Sequence, residues 1–271
     1  MKRRDFLAGA AALAQTPGAR LPLDLPFTDS AGRAVRLADF FDGARPVLLV
    51  PGYWHCPQLC GLVMQSLLNA LHQGGVARAG FRIVGFSIAP EDTPASARAR
   101  RESDLAFAEF LLQGQPAAAP LALELLVGRG DASARLAAAL GVRYGAAAPA
   151  QAAGRGAVDS LLRGKDASGK NGPQYEHPAV VVVATPTGRV ARYLPGLGCE
   201  PGELRVALAE ARGGRIAGIG ERIALFCSHL EPQAGGHTDA VMAATRVTGL
   251  GAAALLAAWC WRRRHGAQHG D

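Results

Sequence analysis

The chain alternates short apolar blocks with amphipathic stretches. Residues 27–37 read as a hairpin around the turn Asp29-Ser30-Ala31-Gly32-Arg33. Residues 47–50 (Val-Leu-Leu-Val) are apolar at every position, the pattern of a strand buried on both faces. Beyond them Leu62, Val63, Leu67, Leu68 and Leu71 fall on one face of a helix that Gly74-Gly75 ends. A second strand is expected over residues 81–88. After it Thr93 or Asp92 caps a helix with Pro94 at its first position, running to about residue 112. Residues 121–127 form a third extended segment, although Leu and Glu there also suit a helix. Asp131 is expected to cap a helix ending at Gly141. Residues 145–173, rich in Ala, Gly and polar groups, read as a long irregular insertion. Residues 179–184 and 189–194 pair as a hairpin around Thr185-Pro186-Thr187-Gly188, and Pro201 opens a last amphipathic helix to about residue 212. No internal repeat is visible.

That order of strands and helices predicts an α/β fold: a thioredoxin-like mixed sheet flanked by helices over residues 27–212. At 271 residues the chain has enough length for one such core with segments to spare. The remainder divides into a linker at 15–26, a second linker at 213–240 and a C-terminal apolar segment.

Charge changes the picture at the two ends. The net charge is +7, but Lys2, Arg3, Arg4, Arg262, Arg263 and Arg264 supply six positive charges, leaving 23 basic against 22 acidic residues. With no basic stripe interleaved with aromatics, nothing points to nucleic acid. Arg3-Arg4 before Phe6-Leu7 and the small apolar run 8–14 has the order of an export signal over residues 1–14, of twin-arginine type. The bland alternative is a frayed basic terminus. Residues 247–261 carry no charge and run into Arg262-Arg263-Arg264. Extended back to 241, with Trp259 and Trp261 at the interface, they read as a C-terminal transmembrane helix followed by a cytoplasmic tail at 262–271. An amphipathic or buried C-terminal helix is the alternative. Both ends place the main domain outside a bacterial inner membrane, facing the periplasm, in contact with membrane lipid.

The chemistry centres on Cys56 and Cys60, which follow the first buried strand and open its helix. A spacing of four residues puts both sulfurs on one helix face, one turn apart. Such a pair can close into a disulfide, cycle as a redox couple or hold a soft metal, and a helix N-terminus favours the thiolate. The bland reading is a structural disulfide. Only two cysteines occur here, so a four-cysteine zinc or iron–sulfur site has no support. A third ligand is expected on a neighbouring loop. His177 precedes the strand at 179–184, where it would face both sulfurs. His55, adjacent to Cys56, is expected to tune the thiolate. Cys199, Cys227 and Cys260 remain. Cys227-x-His229 reads as an incidental thiol beside a histidine, or as a second soft-metal site, and a Cys199–Cys227 disulfide stays open.

From about residue 27 to 208 the chain resembles the Sco/SenC family of thioredoxin-fold copper proteins. The residues that carry the resemblance are Cys56-Pro57-Gln58-Leu59-Cys60 after a strand, and Ser87-Ile88-Ala89-Pro90-Glu91-Asp92-Thr93-Pro94. Leu126-Val127-Gly128 and His177 before Val180-Val181-Val182-Val183-Ala184-Thr185-Pro186-Thr187-Gly188-Arg189 complete it. It implies copper, as Cu(I) or Cu(II), held by Cys56, Cys60 and His177. It also implies delivery of that copper to the CuA centre of cytochrome c oxidase subunit II, or to another copper-site protein. The chain departs from the family at Ala89 and Glu176, where Asp is common, and in having its stronger membrane segment at the C-terminus. The alternative is a periplasmic thiol–disulfide oxidoreductase in which Cys56 and Cys60 cycle to keep a partner's cysteines reduced. A thioredoxin-fold peroxidase is disfavoured, because no Thr-x-x-Cys pattern occurs.

Overall fold

A computed structural model describes residues 12–13, 16–56, 59–146 and 175–216, all within one compact unit. In chain order its elements are β1 (Ala12–Leu13), β2 (Pro26–Thr28), β3 (Ala34–Arg36), β4 (Val47–Gly52), α1 (Leu59–Gln73), β5 (Arg82–Ser87), α2 (Pro94–Phe110) and β6 (Leu123–Gly128). There follow α3 (Ala132–Ala139), β7 (Val142–Arg143), β8 (Gly145–Ala146), β9 (Tyr175–Glu176), β10 (Val180–Ala184), β11 (Val190–Pro195) and α4 (Pro201–Arg212).

The main sheet runs β11-β10-β4-β5-β6-β2-β3. β4, β5 and β6 are parallel, and β10 joins β4 antiparallel. The parallel pairs require helical crossovers, which α1 and α2 supply. This is the mixed, helix-flanked sheet expected from the order of apolar blocks. Its core has two layers because strand side chains alternate. Leu48, Val50, Val181 and Val183 face the layer shared with α1, α2 and α4. Val47, Leu49, Val180 and Val182 face the opposite layer, with Phe27, Leu37 and the α3 residues Leu136 and Ala137. A strand buried on both sides has no polar face, which is why residues 47–50 are uniformly apolar.

Local differences have local causes. Residues 121–127, open to a helical reading, form β6, because pairing along β5 and β2 outweighs the propensity of Leu and Glu. Thr93 caps α2, accepting from Ser96 N–H while Ser96 reaches back to Thr93. Asp131, expected to cap α3, makes no side-chain cap bond and is not in the extended conformation a cap needs (φ −92°, ψ 8°). Residues 16–25, read as linker, are bound to the domain: Leu21 and Leu25 are buried, and Gly18 N–H and Leu21 N–H donate to Val190 and Gly188 carbonyls.

No helix among the described residues is long and apolar enough to cross a membrane. The expected export signal up to residue 11, the insertion from 147 to 174, the linker beyond 216, Cys227, His229 and the transmembrane segment at 241–261 lie outside the described residues.

Gly85 in β5 shows how tightly the layer behind the first strand–helix junction is filled. A β-carbon there would lie 2.5 Å from Leu125 Cδ2 and 2.9 Å from the Trp54 ring. Gly85→Val is therefore expected to destabilise by about 3 kcal/mol through overpacking, read as a lower urea midpoint at unchanged m-value.

Candidate functional site

β4 ends at Gly52, and the chain turns through Tyr53, Trp54, His55 and Cys56 before α1 begins. Cys56 N–H donates to Tyr53 O at 3.2 Å, closing the turn. Tyr53 N–H points at Cys60 Sγ (3.4 Å) and Cys60 N–H at Cys56 Sγ (3.4 Å). Both sulfurs thus accept backbone N–H groups, as a helix start provides. Both cysteines stand as thiols; Cys60 is buried and Cys56 half-buried.

His177 reaches this pair from a distant part of the sequence. It follows β9 and leads into β10, which pairs with β4, so the sheet itself brings residue 177 to the end of β4. Its Nε2 lies 3.5 Å from Cys60 Sγ. Its Nδ1 is 3.1 Å from Pro178 O. A carbonyl only accepts, so Nδ1 carries the proton and Nε2 presents its lone pair to the sulfur. Burial pulls the His177 pKa below its ordinary value, against the Pro178 carbonyl and the Cys56 sulfur, which raise it. The imidazole is therefore neutral at pH 7, the form that binds metals.

Cys60 is pushed the other way. Its hydrogen bond to Cys56 and its burial raise the thiol well above the usual range, against the Tyr53 N–H and the Arg100 charge. Cys60 therefore keeps its proton at neutral pH. Arg100, paired with Asp104, also donates from Nη2 to Cys60 O at 3.0 Å and ties α2 to the first turn of α1.

An aromatic wall closes the site. Tyr53 packs edge-on against Tyr175 (centroids 5.5 Å) and His177 (6.2 Å). Burial raises the Tyr53 phenol, and a hydrogen bond with Cys56 adds to it. The Tyr175 hydroxyl donates to both Glu91 carboxylate oxygens at 2.8 Å, joining the strand before His177 to the loop after β5. Gly196 lets β11 come close behind His177: a β-carbon there would lie 2.8 Å from the Ala179 carbonyl carbon, and Gly196 N–H donates to Ala179 O. Gly196→Ala is expected to displace the 177–179 segment and weaken metal binding roughly 10–100-fold, the cost of disturbing a ligand's support. Competitive Cu(I) titration measures it.

The structure thus brings His177 to Cys60 and Cys60 to Cys56, in a chain from Cys56 through Cys60 to His177. His55 does not tune the sulfurs directly. Its Nδ1 turns to Asp92 Oδ1 at 2.6 Å. Cys199 is a buried thiol whose N–H donates to Ser66 Oγ, with its pKa pushed up to about 11 by burial. Four participants were not legible from the sequence: Tyr53, Asp92, Arg100 and Tyr175. Tyr53 and Tyr175 had only their nearness to Cys56 and His177 as a signal, Asp92 had only its place before Thr93-Pro94, and Arg100 had none.

Among the described residues, no group of three or more His, Cys, Asp or Glu is already arranged to hold a metal ion. One edge of such a site is nevertheless in place. Metal–thiolate and metal–imidazole bonds of about 2.3 and 2.0 Å put the two donor atoms roughly 3.5–3.8 Å apart at tetrahedral to trigonal angles. The Cys60–His177 separation of 3.5 Å meets that.

The SCO1/SenC family model matches residues 14–115. No curated protein matches the chain. A crystal structure from Aquifex aeolicus VF5 is similar at 22% identity, over 73% of this chain and 95% of that one, with a TM-score of 0.53. A second from the same organism is similar at 22% identity, over 73% and 99%, with a TM-score of 0.51. The copper-bound structure of Bradyrhizobium japonicum ScoI is similar at 20% identity, over 74% and 98%, with a TM-score of 0.46. The Aquifex structures share the fold. The family match spans β4, the cysteine pair and α2, and stops before His177, whose place rests on the geometry alone. Residues 14–115 of this chain, with Cys56 and Cys60 at the first strand–helix junction, are similar to the SCO1/SenC family.

Proposed function

We propose that this protein is a membrane-anchored copper chaperone that carries copper on Cys56, Cys60 and His177 and delivers it to the CuA centre of cytochrome c oxidase. The observation that carries this reading is the meeting of Cys60 Sγ and His177 Nε2, 117 residues apart in sequence, at the edge length of a soft-metal site. Two sulfurs and a neutral imidazole select copper in its lower state over hard cations. Three ligands leave an open position through which a partner's sulfur can take the cargo. The match of residues 14–115 to the SCO1/SenC family model supports the same reading through what the family resemblance implies. The basic and apolar segments at the two ends support anchoring in a bacterial inner membrane with this domain in the periplasm.

A second reading has its own observation: the hydrogen bond between Cys56 and Cys60 puts the two sulfurs within reach of each other. A dithiol so placed can reduce a partner's disulfide, forming the Cys56–Cys60 disulfide and passing two electrons and two protons to the partner. His177→Ala separates the readings. For the full-length protein loaded with Cu(I), one tightly held copper per chain is expected, weakened in His177→Ala. Dithiol exchange with a small disulfide persists in that variant. No copper retained by the unaltered protein, with ready disulfide cycling, replaces the chaperone by the reductase.

A further inference from the structure

The turn that delivers Cys56 has two central residues, Trp54 and His55, and one carboxylate holds both. Asp92 Oδ2 accepts the Trp54 backbone N–H at 2.7 Å, and Asp92 Oδ1 takes His55 Nδ1 at 2.6 Å. The same carboxylate accepts Ser87 Oγ–H at 2.5 Å from the end of β5 and Ser96 Oγ–H at 3.2 Å from the first turn of α2. The Asp92 side chain has no exposure to solvent, while the His55 side chain is half exposed. A carboxylate has about four acceptor positions, and these donors fill them. The N-terminus of α2 begins at the next residue, so its dipole favours the buried charge.

We propose that Asp92 is a positioning residue for the Cys56–Cys60 pair. Its buried carboxylate sets the turn from Tyr53 to Cys56 against β5 and α2, and so sets where Cys56 Sγ stands relative to Cys60 and His177. The inference deepens the copper reading above and rests on it for the metal arm only. Cys60 is fixed independently, by the body of α1, the Tyr53 N–H and Arg100. Cys56 follows directly on a turn whose central residues are both held by Asp92.

An amide at position 92 loses the charge and half of the acceptor positions: on the Oδ2 side its NH2 opposes the Trp54 backbone N–H, and on the Oδ1 side it forces His55 and Ser96 to accept. Asp92→Asn therefore loosens the turn without changing the shape of the side chain. In the full-length protein, two readouts are made at a temperature where far-UV circular dichroism shows the fold intact. One is the rate at which oxidised glutathione converts the two thiols to the Cys56–Cys60 disulfide, releasing two glutathione thiols. The other is copper affinity, with the thiolate-to-Cu(II) charge-transfer band as signature. Asp92→Asn is expected to change the disulfide rate and lower copper affinity by roughly 10–100-fold each, as losses of ligand support do, and to shift the band. If the variant does not fold, His55→Phe removes the ring's tether alone and is expected to move both readouts in the same direction by a smaller factor. Folded Asp92→Asn with both readouts within about twofold of the unaltered protein, well below the ligand-support effect, overturns the proposal. So does unchanged chemistry in His55→Phe where Asp92→Asn fails to fold. If the unaltered protein holds no copper, the chaperone reading falls while the glutathione arm still tests Asp92.

Discussion

Cys60→Ala is expected to lower Cu(I) affinity on the order of a thousandfold. Metal sites of this ligand type bind with about 10–16 kcal/mol, so one ligand in three accounts for roughly 4 kcal/mol, or about three powers of ten. Cys60 is the ligand whose loss does most, because it is the shared member of the chain: it touches both Cys56 and His177. Without it the remaining two ligands have no common neighbour to hold them at coordination distance. The substitution also strands the Tyr53 N–H, which is aimed at Cys60 Sγ in a buried site. A moderate loss of stability, about 1–3 kcal/mol, should accompany the loss of copper. The check is Cu(I) competition against a chromophoric chelator, with a urea melt of the copper-free protein alongside. Affinity within about tenfold of the unaltered protein would place the cargo elsewhere.

The second large effect is a dependence of copper affinity on pH. Cys60 holds its proton through the neutral range, because its hydrogen bond to Cys56 and its burial both oppose the thiolate. Copper needs the thiolate, so binding must expel that proton. The sign follows: raising pH strengthens binding, by about tenfold per unit for each proton released. A slope of at least one is expected between about pH 7 and pH 9. His177 adds nothing to that slope. Its pKa lies below the ordinary histidine value because the ring is buried, so it is already neutral in this window. In Cys60→Ala the Cys60 proton disappears from the balance and the slope falls by about one. Competition titrations corrected for the chelator's own protonation read this directly. A flat profile in the unaltered protein would show that Cys60 is already ionised or is not a ligand.

The two effects rest on one structural fact. The sheet carries His177 to the mouth of the β4–α1 junction, and the wall of Tyr53, Tyr175 and Glu91 keeps it there. Burial then acts in opposite directions on the two partners. It keeps the imidazole neutral and, after the hydrogen bond to Cys56, helps to keep the Cys60 thiol protonated.

Elements with a strong local signal were legible in the chain itself. Val47 to Val50 could only be a strand covered on both sides, and Thr93-Pro94 could only begin a helix. The four-residue spacing put both sulfurs on one helix face before any coordinates. His177 was expected beside the cysteine pair only because the expected sheet places the entry to β10 next to that helix, and it lies 3.5 Å from Cys60 Sγ. The fate of residues 16–25 and the aim of His55 were decided by tertiary structure. Leu21 and Leu25 looked like part of a Pro-rich linker, since nothing local says that Gly188 and Val190 carbonyls will receive their segment. His55 looked like a modulator of its neighbour Cys56, yet a carboxylate 37 residues on holds its ring. Asp92 could be read in the sequence only as a candidate cap in the Ser87–Pro94 stretch; its hold on the turn could not, because its four donors come from three separate elements and converge only when β5 and α2 are packed. Periodicity and spacing depend on the chain's own geometry and can be read along it. A buried charge is defined by what surrounds it, and those surroundings exist only in the fold.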